Sequence, residues 1–170
     1  MTAALDPLAY RRVVGRFATG VTVVTTVLPE GERHALTCNS FTSVSLTPVL
    51  VLFCAEKVAR FHDAVLDSGA WAVSVLSTSH VAASRHFAAR GRDLTTQFEG
   101  VPTLRGPVTG APLLAGALAT LECRTASVTD AGDHSVVIGE VLAASLPEPQ
   151  ADPLLYYEGG YRTVRAPEPA

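Results

Sequence analysis

The stretch from His34 to Cys54, HALTCNSFTSVSLTPVLVLFC, gathers the strongest candidates for chemistry in the chain. Between positions 37 and 45, Thr37, Ser40, Thr42, Ser43 and Ser45 bring five hydroxyls, Asn39 an amide and Phe41 a ring. A connection that only had to turn would use Asn-Gly or Pro-Asp-Gly, which supply the needed dihedrals directly. Short neutral donors beside an aromatic instead suit gripping a polar, planar ligand along its edge. The same side chains can also bond their own backbone, and the stretch taken alone leaves that plainer reading open.

Three further positions carry reactive groups. Lys57, the chain's single lysine, follows the apolar run Val49–Ala55 and precedes a helix, where an ammonium and free backbone N–H groups could converge on a phosphate. From position alone a solvated lysine is the commoner case. His134 follows the Gly132-Asp133 turn, and a turn histidine is normally exposed and idle. Arg85 falls in a helix, where a lone arginine is most often a solvated charge. His80 and His86 are off the i, i+4 spacing of paired metal ligands, and His34 and His62 have no partner motif, so no metal is expected. Cys38, Cys54 and Cys123 are odd in number, with no Cys-x-x-Cys, and read as reduced thiols.

The elements that must position these groups are mostly strands. Asp6-Pro7 starts a helix that runs to about Thr19 and stops at Gly20, with an apolar stripe of Leu8, Val14, Phe17 and Ala18. Val21–Val27 and His34–Asn39 form a hairpin around Pro29-Glu30-Gly31. After the Val49–Ala55 strand a helix reaches Ser68 and closes on Gly69, Trp71–Leu76 is a buried strand, and Ser79 caps a helix ending at Gly91. Asp93 to Leu114, rich in Gly and Pro, reads as a long ordered loop. Leu118–Asp130 and Ser135–Leu146 make the clearest hairpin, and Leu154–Glu158 and Tyr161–Val164 flank a Gly159-Gly160 turn. Arg165 onward reads as a frayed tail. Strands without βαβ alternation point to a mainly β fold with inserted helices, an antiparallel barrel or sandwich.

Length and charge set the outer limits. A chain of 170 residues is a single domain over 1–170, able to bury about 70% of its unfolded surface. A net charge of -3, with scattered basic residues, argues against nucleic acid as a partner. Hydrophobic content of 48% is high, yet no apolar run is long enough to span a membrane. The surplus apolar surface hints at a partner subunit. The start lacks the basic head and apolar middle of a signal peptide, so a cytoplasmic location is expected. Neither Gly-x-Gly-x-x-Gly nor a phosphate-binding Gly-Lys-Ser/Thr loop is present, so any nucleotide must be held in another way.

The run Leu36-Thr37-Cys38-Asn39-Ser40-Phe41-Thr42-Ser43-Val44-Ser45-Leu46, then Pro48 and a strand ending at Cys54, resembles the FMN-binding split-barrel flavin reductases. These are the small reductase components of two-component flavin monooxygenases. The resemblance continues through Ala70–Leu76, Ser84-Arg85-His86-Phe87-Ala88, Gly132-Asp133-His134 with Gly139-Glu140-Val141, and Pro153 to Tyr161. It implies an antiparallel split β-barrel, homodimeric, that moves a hydride from NADH or NADPH to FMN or FAD and supplies reduced flavin by diffusion to a partner monooxygenase.

Residue roles follow from the resemblance alone. Thr37, Cys38, Asn39, Ser40 and Ser45 would lie along the flavin ring and ribityl chain, with Cys54, Ala55 and Lys57 ending the next strand beside them. Ser84 and Arg85 would touch the phosphate or adenylate end. His134 would orient the nicotinamide rather than act as an obligatory base, with Tyr157, Gly159 and Tyr161 on the same side. Such a reaction needs donors more than bases, because the hydride passes between two bound rings and negative charge develops at the flavin's pyrimidine edge. Two departures stand out. Val58 and Ala59 replace the Ser or Thr that usually completes the phosphate clamp, with Arg60 or Arg85 as substitutes; Glu158 and Gly160 replace basic residues, which disfavours NADPH. A flavin-binding carrier without turnover, a split-barrel oxidase that keeps its flavin, and an interaction barrel with no cofactor are the competing readings.

Overall fold

The computed structural model describes residues 5–164, and the expected tail from Arg165 lies outside them. One antiparallel sheet of seven strands carries the fold. Its spatial order is β3 (Arg33–Cys38), β2 (Thr22–Val27), β6 (Ala70–Val75), β9 (Ala119–Ala131), β10 (His134–Ser145), β5 (Val49–Glu56) and β4 (Thr42–Leu46). Laid flat, six gaps of about 4.8 Å would put β3 and β4 roughly 29 Å apart. Yet only Asn39–Phe41 joins the end of β3 to the start of β4, a reach of at most about 15 Å. The sheet must therefore curl until its two edges face each other, which produces a barrel split along the β3/β4 seam. The Cys54 amide of β5 donates to Ser40 Oγ across that seam at 2.9 Å.

Alternation along β2 explains why Thr22 to Thr26 are all buried. Val24 faces the barrel core, which holds Phe53, Trp71, Val73, Cys123 and Val137 together with Phe61 and Val65 of α2 (Arg60–Ser68). Val23 faces outward into a second cluster that includes Leu76, Phe87 of α3 (Val81–Ala88), Phe98 and Leu114. In the barrel core the Phe53 and Trp71 rings meet edge to face at 4.8 Å. Trp71 needs a glycine opposite it: a Cβ on Gly139 would stand 2.3 Å from Trp71 Cζ2.

Local chemistry set several boundaries as expected. Asp6 accepts from the Leu8 and Ala9 amides to start α1 (Pro7–Val14), and Gly69 closes α2 in the left-handed region at φ 62°. Several expectations change. The first helix stops at Val14, because β1 (Thr19–Gly20) is drawn into pairing with β11 (Leu155–Tyr157) and must be extended. Thr42–Leu46 is a strand rather than part of a joint, since pairing with β5 satisfies its backbone; only Asn39–Phe41 crosses.

The stretch 93–114 contains a small hairpin, β7 (Thr103–Arg105) with β8 (Pro112–Leu114), whose three-residue strands are too short to show a period. Lastly, α3 ends at Ala88, with Arg92 Nη1 capping the Phe87 and Ala89 carbonyls. Ser79 bonds Ser77 within the preceding 3-10 turn (Thr78–His80) instead of capping α3.

The C-terminal hairpin of β11 with β12 (Gly160–Arg162) turns on Glu158-Gly159, both at positive φ, one residue earlier than expected. Glu158 is held there by its amide bond to Gly15 O at 3.0 Å and its 2.5 Å ion pair with Arg16. The expected apolar stripe covers no core: Leu8, Val14 and Phe17 are 62%, 47% and 76% exposed. Among the described residues no helix is long and apolar enough to cross a membrane.

Candidate active site

The end of β3 opens into a pocket of about 190 Å³. Thr37, Cys38 and Asn39 form one wall, Tyr156 and Tyr161 the other, with Ala88 of α3 and Val21 between them. Short side chains on β3 leave room here, while the two tyrosines come from facing positions on β11 and β12 with rings 5.7 Å apart, edge to face. No carboxylate or ammonium belongs to this lining.

Internal bonds fix the walls. Thr37 Oγ1 donates to Ser84 O at 2.7 Å, and Ser84 Oγ meets the Tyr161 hydroxyl at 2.7 Å. Ser84, fully buried, thus ties α3 to both walls and reaches the pocket only through them. The Arg85 guanidinium lies 5.6 Å over the Tyr161 ring. Thr22 Oγ1 donates to Cys38 O at 2.9 Å, which leaves the Cys38 thiol, 3.3 Å away, to donate to Thr22 Oγ1. Burial pushes that thiol's pKa up, so it acts here as a neutral group. Ser45 sits on β4 and accepts from the Thr47 amide at 3.2 Å.

A second group of expected residues gathers at the tip of the β9–β10 hairpin. Lys57 Nζ donates to Asp130 Oδ2 at 2.6 Å and to Gly132 O at 2.7 Å, which ties its ammonium to the hairpin turn. His134 Nδ1 stands 2.7 Å from Asp133 Oδ1, and that hydrogen bond holds the Asp133 carboxyl below the usual carboxylate range. His134 pairs in register with Glu56, Ser135 with Ala55 and Val136 with Cys54. Because Cys54 also bonds Ser40, the end of β5 links the seam to the His134 tip along one rim, although neither His134 nor Lys57 lines the seam pocket. Ala55 is itself buried and contributes to the core.

Tyr157 and Gly159 stand apart from the pocket. Strand alternation points Tyr156, not Tyr157, at Tyr161, a signal that period-two reading of the segment carries. Gly159 instead adjoins Arg11, Arg12 and Arg16 of the α1 region. Of these arginines, Arg16 is already paired with Glu158 of the same turn. Sequence reading missed Ala88, Val21 and Tyr156, and with them a second chamber beyond Ala88 that is lined by arginines.

The barrel is split, and beside its seam lies a pocket walled by hydroxyl, thiol, amide and tyrosine groups with no charged side chain. The model of the flavin reductase like domain matches residues 14–165, and the chain belongs to that family. It is 41% identical over 168 residues to the flavin-dependent monooxygenase reductase subunit HsaB of Mycobacterium tuberculosis, covering 96% of this chain and 86% of that protein. Identity is 43% over 158 residues to the NADH-dependent FAD reductase of Streptomyces globisporus, over 92% and 85% of the two chains. Among solved structures, BorF, the flavin reductase component of a bacterial two-component tryptophan halogenase, superposes with a TM-score of 0.88 at 42% identity, over 95% of this chain and 100% of that one.

The residues present fit a flavin. The lining offers neutral hydroxyl and amide groups for a ring that gains negative charge, and no carboxylate to repel it. When bound, the flavin supplies the hydride-accepting chemistry; the chain orients it and shields it.

Proposed function

We propose that this protein transfers a hydride from NADH to FAD or FMN and releases the reduced flavin to a separate monooxygenase. The neutral pocket beside the β3/β4 seam is the observation that carries the reading, because hydride transfer needs preorganised donors rather than a charged base. Thr37, Cys38 and Asn39 set the flavin's polar edge, Tyr156 and Tyr161 cover the ring, and His134, on the same rim, orients the nicotinamide. The names of the relatives support NADH as the donor. In solution the chain is a homodimer in the cytoplasm, in which a second copy covers the exposed Leu8, Val13 and Phe17 of the α1 region.

One assay tests the reaction: NADH oxidation followed with and without added FAD or FMN. Turnover only with added flavin supports the reductase. A tightly held yellow flavin with no NADH oxidation would make the protein a carrier instead. Light scattering on a sizing column reads the dimer, and a monomer at micromolar concentration would remove it.

A further inference from the structure

At the turn end of the β2–β3 hairpin, remote from the seam, lies another cavity of about 690 Å³. Val27, Leu28, Leu104 and Pro112 give it apolar walls, and the charged side chains in its lining are two arginines, Arg33 and Arg105. No carboxylate lines it. Arg33 opens β3 and the seam pocket begins at Thr37, so about 13 Å of strand separates the two sites.

Strand register brings the two arginines together. Val27 pairs directly with Arg33, and residues opposite each other on antiparallel strands share a face. From the end of β7, the Arg105 guanidinium folds back over the β7–β8 turn: a Cβ on Gly110 would stand 3.5 Å from its Nε and Nη2 and 3.8 Å from Val27 Cγ1. Both cations therefore flank Val27. Among the described residues neither has an ion-pair partner. Each is positioned by a neutral surface instead, Arg33 by the Phe98 ring 4.8 Å away and Arg105 by the glycine backbone. Two carboxylates near this wall are committed elsewhere. Glu32 lies 3.0 Å from His34 Nε2, and the buried Glu122 accepts from the Val108 amide, the Thr109 amide and the Thr109 hydroxyl at 3.0, 2.6 and 2.8 Å.

We propose that this cavity binds a small organic acid, an apolar body carrying one carboxylate, at a site separate from the flavin pocket. Each part of such a ligand answers a part of the wall. The carboxylate accepts from the guanidinium forks, which match its two oxygens, and offsets the repulsion between neighbouring cations. The body covers Val27, Leu28 and Leu104, the last of which is 64% exposed. An inorganic anion would satisfy the arginines and leave that apolar surface wet. The volume falls among small-molecule sites, which span about 300–1,000 Å³. Nothing in the proposal depends on whether the chain reduces flavin.

Isothermal titration calorimetry of the full chain with cinnamate, with and without excess FAD, tests the site. Cinnamate is expected to bind one per chain with a submillimolar Kd that FAD leaves unchanged. Arg33→Ala and Arg105→Ala should each weaken binding about tenfold, the scale of one charge-assisted hydrogen bond. Arg105→Lys, which keeps the charge but loses the fork, should weaken it in part. Cinnamamide, the uncharged analogue, should bind at least about tenfold more weakly than cinnamate. Both alanine variants should keep the wild-type urea midpoint, since Arg33 and Arg105 are exposed.

No heat of binding at millimolar cinnamate overturns the proposal, as does unchanged affinity in both alanine variants. Cinnamamide bound as tightly as cinnamate would remove the arginines from the recognition. Competition by FAD would also sink the idea, because the acid would then occupy the flavin pocket. Sulfate bound as tightly as cinnamate would reject the organic acid and leave only an anion contact. Should an alanine variant unfold, the cinnamamide comparison and the FAD competition still decide the matter.

Discussion

The two ends of the cleft between β3 and α3 solve opposite problems with residues a few positions apart. At Thr37–Asn39 the walls are neutral, and the bonds of Thr37, Cys38 and Ser84 close within the protein. At His34–Ala35 the wall meets Arg60 and Arg92, whose charges find only carbonyls and each other. The first end is preorganised, so a ring that changes charge meets dipoles already in place. The second leaves two guanidinium groups without a carboxylate partner among the described residues. A single strand can serve both because β3 is an edge strand: one side pairs with β2 and the other is left for the seam and the ligand.

The sharpest way to break this contrast is to charge the neutral end. Asn39→Asp should lower flavin reduction by about 100-fold, the scale of a lost or reversed oxyanion donor, with flavin still bound. Stopped-flow reduction by NADH reads the step, and unchanged turnover would remove Asn39 from the pocket. Next in size is His134, which stands on the rim rather than at either end. His134→Ala should raise the KM for NADH about tenfold, the loss of roughly one good hydrogen bond, while flavin affinity moves less than about twofold. Equal losses of both would contradict an orienting role toward the nicotinamide.

A smaller effect concerns the tether behind the wall. Ser84→Ala and Tyr161→Phe should each cost about 1 kcal/mol in urea unfolding, and the double variant should cost scarcely more than either, because both remove the same hydrogen bond. Additive losses would mean that the two hydroxyls are not coupled. The smallest effect is chemical inertness. Burial pushes Cys123 up to about 12 and raises Cys38 as well, so iodoacetamide at pH 8 should leave both unmodified in the native protein. Rapid labelling of Cys38, which lines the seam pocket, would show that its thiol is not held in the neutral form.

Much of this architecture is legible in the chain because its signals are local. β-branched runs mark β2, β9 and β10, Asp6-Pro7 caps α1, and Gly69 needs only its own left-handed φ to close α2. Where an element depends on a distant partner, local signals mislead. Thr19–Gly20 leaves the helix to pair with Tyr156 and Leu155, some 135 residues away, and Thr42–Leu46 becomes a strand only because β5 lies beside it. The site divides in the same manner. Thr37, Cys38 and Asn39 stand out by composition, and Tyr161 by resemblance, and the structure brings these four to one pocket.

What the sequence alone determined is the inventory and its order: neutral donors at the end of one strand, a turn histidine, and a single lysine placed before a helix. What tertiary structure decided is which charges meet. Lys57 finds Asp130 across 73 residues, and Arg92 reaches the carbonyl of Ala35 across 57, pairings that no local pattern encodes. The physical reason is range. Dihedral preferences and side-chain period act within a few residues and can be read along the chain, whereas the partner of a charge depends on which surfaces the closing barrel brings together.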